Sequence, residues 1–538
     1  MPIINFKKEK IAVEIPQGTT ILQAARNAGV LVESPCNGMG TCGKCRVKIR
    51  GNEAVLACRA IVTEDLAVET LEDKTLNNTL KIHSEGDSFT YQIDAPITKR
   101  FDGVKTQVYL RDSLLTIEEG DTENQCYGLS VDIGTTTLVS ALINLATGEE
   151  LASISALNPQ SLHAQDVLSR IQFASKDQGL DQMYEEITSE LNRMTAELCS
   201  AAGIERRFIY EAVYSGNTTM IHLALHTNPE SLGKYPYTPI LKGGAFVRAS
   251  DYNLEISQAG VIYTPPVISA YVGPDITSGI LAVRLQDVEG TVLFIDIGTN
   301  GEMALSRNGE LSATSTAAGP AFEGMNITFG MRAGNGSIEG FEIHDDGAVS
   351  LQVIGGGKAV GICGSGLFDL VGELVRLGIV TENGRFANPD TLRLPQQLCS
   401  RLKEFQGKIA FEVAPDIYLT LKDVRQVQLA KGAIRAGITA LLRHQGVAEE
   451  DVSQVLIAGS FGYHLKTRSL VDITIMPKSF EKKIQFVGNT SKSGGKAFLL
   501  NQRFPEEMKA LVKRVNSVEL ANLDGFERLF VGCLNFKE

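Results

Sequence analysis

The tetrapeptide Asp-Ile-Gly-Thr occurs twice in this chain of 538 residues, at 132–135 and again at 296–299. Each copy closes an apolar run, in YGLSVDIGTTTLVSALINLATGEE from Tyr127 and in TVLFIDIGTNGEMALSRNGE from Thr291. One such tetrapeptide is compatible with chance, but two in matched contexts indicate an internal repeat. Each copy reads as strand, tight turn, strand, turn. The plainer alternative is a pair of ordinary β-turns. The residue types favour a pair of phosphate loops. Gly134 and Gly298 let a hairpin backbone approach phosphate oxygens. The hydroxyls of Thr135, Thr136 and Thr299, together with Asn300 and the loop N–H groups, are candidate donors to those oxygens. Asp132 and Asp296 can hold Mg²⁺, usually through water, and are the candidate catalytic residues.

A second pattern lies near the N-terminus, in CNGMGTCGKCRVKIRGNEAVLAC. Cys36, Cys42, Cys45 and Cys58 have the spacing C-x5-C-x2-C-x12-C. Gly38, Gly40 and Gly43 bring backbone N–H groups close to the sulfurs, so one short loop can wrap an inorganic cluster. Structural zinc is the alternative, but zinc sites usually pair their cysteines as two separate knuckles. We read the four cysteines as ligands of a [2Fe–2S] cluster, a one-electron carrier. Ile11, Val13 and Ile15 alternate as in a half-buried strand, and Pro16-Gln17-Gly18 turns the chain. Thr19 or Thr20 caps a helix with Ile21, Leu22, Ala25 and Ala28 on its apolar face, and Gly29 ends it. Val47 and Ile49 open a hairpin that turns at Gly51-Asn52 and returns through Val55-Leu56-Ala57 to Cys58.

The length fits about three domains or sub-domains. We place a cluster module at 1–84, a partly structured linker at 85–125, one lobe at 126–285 and a second at 286–538. In the linker, Glu85-Gly86-Asp87-Ser88 is polar, while Tyr91-Gln92-Ile93 and Val108-Tyr109-Leu110 are strand-like. The apolar fraction of 43% suits a globular protein with a sizeable core. A net charge of −12 argues against nucleic acid as a main partner, because phosphate backbones need a basic face. Beyond the cluster motif, Cys126, Cys199, Cys363, Cys399 and Cys533 are scattered, which suits a reducing compartment. The start MPIINFKKEKIAVEI has no apolar signal region, and no window approaches ~18 uninterrupted apolar residues, so we expect a cytoplasmic protein without membrane contact.

The loop around the cysteines resembles plant-type and adrenodoxin-type ferredoxins, with a shorter gap before Cys58. The repeated loops resemble those of the acetate kinase, sugar kinase, Hsp70 and actin superfamily, in which two similar lobes share one ATP cleft. That resemblance implies an adenosine motif, which Val455–Gly462 fits, with Gly459, Ser460 and Gly462 as nucleotide contacts. It also implies that Gly364, Ser365 and Gly366 border the nucleotide at a helix start, with Cys363 as a packing residue. Further stretches sharpen the match: NPQSLHAQDVLSRI (158–171), SGNTTMIHLAL (215–225), AYVGPDITSGI (270–280), STAAGPAFEGMNI (315–327) and QLAKGAIRAGI (428–438). Together with the cysteine motif they resemble the reductive activators of corrinoid proteins. The implied fold is an α+β, ferredoxin-like (β-grasp) N-terminal domain followed by a two-lobed α/β ATPase. The implied activity passes one electron from the [2Fe–2S] cluster to a Co(II) corrinoid, with ATP and Mg²⁺, and regenerates Co(I) in a methyltransferase system. Its implied partners are a corrinoid protein, a low-potential electron donor and a second copy of the chain as a homodimer.

A small-molecule kinase with a redox-sensing module is the rival, with Asp275 or Asp296 as base. A nucleotide-dependent scaffold that loads a metallocofactor is a third class. Three weaker signals have plain readings. Glu342-Ile343-His344-Asp345-Asp346-Gly347 reads as a hairpin turn, not a corrinoid-binding motif. His222 and His226 read as core or surface histidines lacking a third ligand. Asn489–Gly495 lacks the frame of a P-loop and reads as a loop near the cleft.

Overall fold

A computed structural model describes residues 1–30, 32, 34, 38, 40, 43–49, 53–71, 89–459 and 465–537. Cys36, Cys42, the Gly51-Asn52 turn, linker residues 85–88, Ser460 and Gly462 lie outside the described residues.

The N-terminal module contains β1 (Ile3–Phe6), β2 (Ile11–Glu14), α1 (Ile21–Asn27), β3 (Arg46–Ile49), β4 (Glu53–Leu56) and β5 (Leu66–Thr70). They form one sheet in the order β2-β1-β5-β3-β4. β1 and β5 are parallel, and the other pairs are antiparallel. The helix covers one face and buries Ile21, Leu22, Ala24 and Ala25 against Ile4, Phe6, Val47 and Val68. Thr20 is its cap, accepting from the Gln23 N–H at 3.2 Å. Of the expected strand face, only Ile15 is buried; Ile11 is exposed and Val13 half-buried, because β2 is an edge strand.

The expected linker is more ordered than its polar composition indicates. β6 (Ile97–Phe101), β7 (Lys105–Leu110) and β8 (Ser113–Glu119) form an antiparallel meander. Ile97 and Val108 join the core of the following lobe beside Cys126, Phe208 and Tyr210. Buried Lys99 donates to Glu118 at 2.7 Å and to the Tyr210 hydroxyl at 2.9 Å. A meander with one wet face alternates polar with apolar residues, which is why its sequence reads as a tether.

The first lobe is built on β9 (Tyr127–Ile133), β10 (Thr137–Asn144), β11 (Glu150–Leu157), β12 (Ile209–Gly216), β13 (Ala245–Arg248) and β14 (Val261–Thr264). Its helices are α2 (Val167–Ala174), α3 (Gly179–Ala202), α4 (Thr218–Ala224) and α5 (Pro274–Ala282). The second lobe opens with β15 (Thr291–Ile297), β16 (Gly301–Arg307) and β17 (Glu310–Thr316). Two small sheets follow, β18 (Ser337–Ile343), β19 (Val349–Val353) and β20 (Gly361–Ile362), then β21 (Leu402–Phe405), β22 (Lys408–Ala414) and β23 (Ile417–Thr420). Between and after them run α6 (Gly364–Arg376), α7 (Gln396–Cys399) and α8 (Leu421–His444). The chain ends with β24 (Gln454–Ala458), α9 (Thr467–Asp472), β25 (Ile484–Gly488), α10 (Thr490–Leu500), α11 (Phe504–Leu511), β26 (Asn516–Ser517) and α12 (Phe526–Gly532).

The two main sheets repeat one topology. The first runs β11-β10-β9-β12-β14-β13 and the second β25-β24-β15-β16-β17-β26. In each, an antiparallel meander begins at the strand carrying Asp-Ile-Gly, and two parallel strands pair on that strand's other side. The repeated tetrapeptide therefore reports a repeated sheet. Both copies sit at the carboxyl ends of their central strands, where open α/β sheets bind ligands.

Between the sheets pack α5 and α10, sharing one core with Phe294, Ala304 and Leu456 of the second lobe. Residues 489–495, expected as a loop, are instead the start of this buried helix, capped by Asn489. Ser and Gly disguise it in the sequence. Here they serve close packing: a Cβ on Gly494 would sit 2.0 Å from the Ser278 carbonyl oxygen, and one on Gly495 2.4 Å from Ser130 Oγ. Although it falls in sequence between β25 and β26 of the second sheet, α10 thus lies on the first lobe, with Ser130 Oγ donating to the Lys492 carbonyl at 2.7 Å. We expect Gly494→Ala to destabilise the full chain by about 1–3 kcal/mol, read as a fall in its thermal midpoint. An unchanged midpoint would contradict the close helix contact. Among the described residues, no helix is long and apolar enough to cross a membrane.

Candidate functional site

The two loops face one cleft. It is lined by Asp132, Gly134, Thr135 and Thr136 from the first lobe and by Asp296, Gly298, Thr299 and Asn300 from the second. Of the further nucleotide contacts expected from sequence, Gly364 and Ser365 at the start of α6 and Gly459 after β24 also line it, while Ser460 and Gly462 lie outside the described residues. Gly366 does not line the cleft. A Cβ there would meet the Ile338 carbonyl oxygen at 2.1 Å, so it is a packing glycine between α6 and β18.

Local hydrogen bonds set the loop shapes. Gly134 N–H donates to the Thr137 carbonyl at 3.0 Å, and a Cβ on Gly134 would sit 2.5 Å from that same oxygen. Gly298 N–H donates to Asn300 O at 2.9 Å in the matching turn, with room for a side chain. The stretch 158–171 braces the first loop. Asn158 Nδ2 donates to Gly134 O at 2.8 Å, and fully buried Arg170 donates to Thr135 O, Ala164 O and Gln160 Oε1. With those carbonyls engaged, the loop's remaining polarity is donor-rich, as an anion requires. Asn217 caps α4 and donates from Nδ2 to Thr135 Oγ1 at 3.0 Å. From the far end of the chain, Asn489 Nδ2 donates to Asp132 Oδ2 at 2.8 Å.

Among the described residues, five carboxylates line this cleft: Asp132, Asp275, Asp296, Glu302 and Glu323. Enclosure by protein pushes Asp132 up to about 7, partly offset by the Asn489 hydrogen bond and reinforced by the charge of Asp296. The same desolvation pushes Asp296 up to about 6. Asp275 and Glu302 are raised by burial first and then by neighbouring acids. Arg332 is the one cationic side chain lining the cleft among the described residues, and its Nε–H is buried without an acceptor. Carboxylates suit hard divalent cations, and the unsatisfied Nε–H of Arg332 suits an anion. A polyphosphate carried with metal satisfies both.

Each raised carboxyl binds its proton more tightly in the folded chain than in the unfolded one. Its stabilising contribution is complete below the ordinary carboxylate range and is lost as pH rises through about 6 for Asp296 and about 7 for Asp132. We expect the thermal midpoint of the unliganded protein to fall from about pH 5 to about pH 8, with a shallower fall in Asp275→Asn. A midpoint that rises over that window in wild type would contradict this carboxylate cluster.

The cysteine loop meets the needs of a cluster where it is described. Gly38, Gly40 and Gly43 take φ of +86°, +73° and +71°, which only glycine adopts freely. Cys45 is buried, and its carbonyl accepts from Ala57 N–H at 2.6 Å, bringing Cys58 back to the loop. A Cβ on Gly38 would lie 4.0 Å from Cys58 Cβ.

The weak signals resolve locally. His344–Gly347 is the turn between β18 and β19. Buried His222 bonds to Thr218 O and accepts from the N–H groups of Ile240 and Leu241, while His226 pairs with Asp181 at 2.7 Å. Cys363 is buried, its Sγ 3.3 Å from Ile338 O. Glu302, Glu323, Arg332, Asn217, Asn489 and Arg170 were not singled out by sequence reasoning. All but Glu302 and Arg332 lie in stretches already marked as distinctive, where a charged or amide residue among small ones was the available signal.

Twin sheets closing on a carboxylate-lined cleft, joined to a β-grasp cysteine module, define an ASKHA-type ATPase fused to a [2Fe–2S] domain. The family models agree: "2Fe-2S iron-sulfur cluster binding domain" matches residues 4–63, "RACo middle region" 127–288, and "C-terminal domain of RACo the ASKHA domain" 290–538. The chain belongs to the family of reductive activators of corrinoid proteins. It is 29% identical to the "Corrinoid activation enzyme RamQ" of Eubacterium limosum, over 95% of each chain. It is 25% identical to the "[Co(II) methylated amine-specific corrinoid protein] reductase" of Methanosarcina barkeri, over 76% of this chain and 77% of the other. The solved structure of a "Reductive activator for corrinoid,iron-sulfur protein" superposes with a TM-score of 0.75 at 29% identity, over 99% of this chain and 98% of that one.

Proposed function

We propose that this protein reduces the Co(II) corrinoid of a partner protein to Co(I) at the expense of ATP, within a methyltransferase system. The observation that carries the reading is the pairing in one chain of a [2Fe–2S] module with a two-loop cleft lined by acids that can hold metal through water. Cys36, Cys42, Cys45 and Cys58 would hold the cluster, which supplies one electron when bound and is reloaded by a low-potential donor. Asp132 and Asp296 would hold Mg²⁺ through water, with Asn489 fixing the rotamer of Asp132. Thr135, Thr136, Thr299 and the loop N–H groups would donate to phosphate oxygens, and Arg332 would neutralise their charge. Gly459 takes φ +108°, and a Cβ there would meet the Ile297 carbonyl at 2.6 Å, so it brings the end of β24 close beside the second phosphate loop, where a nucleoside would lie.

Thermodynamics gives the ATPase its purpose. Co(I) corrinoids are strong reductants, so reducing Co(II) from an ordinary cluster is uphill, at about 1.4 kcal/mol for each ~59 mV. Binding the corrinoid partner differently with ATP and with ADP can meet that cost, and it needs no phosphoryl acceptor. One observation speaks for the kinase reading: Asp275 is a raised carboxyl in the cleft, as a general base would be. A turnover screen separates the two. ATP hydrolysis should rise with a corrinoid protein and stay flat with sugars and carboxylic acids; the reverse pattern would overturn the proposal.

A further inference from the structure

Glu323 occupies an unusual position. Its carboxylate accepts from Thr136 Oγ1 of the first phosphate loop and from Thr299 Oγ1 of the second. It is 8% exposed, so these bonds work in a poorly solvated site, where a charged acceptor is strong. One side chain thus ties the two lobes together through the hydroxyls that a phosphate oxygen would also need. Nucleotide and Glu323 compete for the same donors, and their like charges repel.

The consequence of moving Glu323 is set by the segment that carries it. Glu323 ends a short 3-10 turn, Pro320–Glu323, and Gly324 follows with φ +74°. The chain then folds back on itself. A Cβ on Gly330 would sit 2.0 Å from Gly324 O, and one on Gly324 2.3 Å from Met331 O, so the two ends of this loop are in backbone contact. Displacement at Glu323 therefore reaches Gly330 with little compliance between them. The Gly330 carbonyl in turn accepts from Lys44 Nζ at 3.0 Å. In sequence, Lys44 lies between Cys42 and Cys45. Two residues after Gly330, the same segment brings Arg332 into the cleft.

We infer that Glu323 is a positioning residue that couples the nucleotide cleft to the cluster loop. Triphosphate takes Thr136 and Thr299 from Glu323, the loop 324–332 shifts, and the hold of Gly330 on Lys44 changes. The inference deepens the ATP reading and rests on it. It has two states with different contacts at two sites, so the coupling is reciprocal: altering Lys44 must alter nucleotide affinity by the same factor that nucleotide alters the Lys44 contact.

The test uses the full-length, cluster-loaded protein with a non-hydrolysable ATP analogue and Mg²⁺, reading affinity by calorimetry and backbone hydrogen exchange by mass spectrometry. In wild type, the analogue should change exchange in both 324–332 and 43–46. Glu323→Gln should bind the analogue about tenfold more tightly, since losing one competing charged acceptor is worth about 1.4 kcal/mol, and its loop should respond little to the analogue. Lys44→Ala should keep the response in 324–332 and lose it in 43–46. Equal or weaker binding by Glu323→Gln would overturn the inference and leave the ATP reading standing. So would a wild-type cluster loop that ignores the analogue. Failure of wild type to bind the analogue at all would overturn both.

Discussion

Asp132→Ala should abolish ATP-dependent activation of the corrinoid partner while leaving the cluster spectrum unchanged. Asp132 sits at the end of β9 and takes the Asn489 hydrogen bond on Oδ2. Alanine removes half of the paired carboxylates proposed to hold Mg²⁺, and Asp296 alone would face the metal. Loss of a preorganised charge at this kind of site lowers turnover on the order of 100-fold or more. In the fold the carboxylate accepts one hydrogen bond, from Asn489, against a larger cost of burial. Its pKa is pushed up to about 7 by burial, with Asp296 adding repulsion, so its removal relieves strain at neutral pH. The variant should therefore be at least as thermally stable as wild type near pH 8. The cysteine module keeps its own core around Phe6, Ile21 and Val47, apart from the cleft, and its visible absorption should match wild type. Steady-state ATP turnover, cobalt spectra and the cluster spectrum decide the matter together. Undiminished activation in Asp132→Ala would remove the cleft from the mechanism.

Cys45→Ser should produce the complementary defect. Thiolate is the ligand an iron–sulfur cluster needs, and a serine hydroxyl at neutral pH is a poor replacement. Cys45 is 1% exposed, in the core that carries Val47 and Ala57, so no solvent ligand can readily take its place. The variant should lose the visible absorption and most of its iron, and with them all corrinoid reduction. ATP binding should persist, because the cleft lies in the two lobes. Iron analysis and absorption spectra check the first half, and calorimetry with nucleotide the second. A colourless wild-type protein carrying zinc would favour the structural-metal alternative.

What sequence could disclose follows the range of the interactions. The Asp-Ile-Gly-Thr turns, the cap at Thr20 and the hairpin that returns Cys58 depend on neighbours within a few residues, and all are visible as local patterns. The repeat in turn announces the twin sheets, since a strand–turn–strand written twice in matched contexts leaves few other architectures. The cleft's other half is nonlocal. Asn489 reaches Asp132 across most of the chain, and Glu323 bridges Thr136 and Thr299 from opposite lobes. Around Glu323, only its place among small residues distinguishes it from a solvated acid. The same limit hid α10: a helix that must pass within contact of Ser278 and Ser130 needs Gly494 and Gly495, and those residues read as a loop. The meander 97–119 was obscured for a different reason, since its wet face supplies the polar residues that suggest a tether.

In the proposed mechanism ATP makes an otherwise unfavourable electron transfer to cobalt proceed. The decisive experiment is the electronic spectrum of a corrinoid protein mixed with this protein and a reductant, recorded with and without Mg·ATP. Co(I) should accumulate only when ATP is present, and should fail to do so with Asp132→Ala or Cys45→Ser. Equal Co(I) formation with and without ATP, or none under either condition with a competent corrinoid partner, would contradict the account.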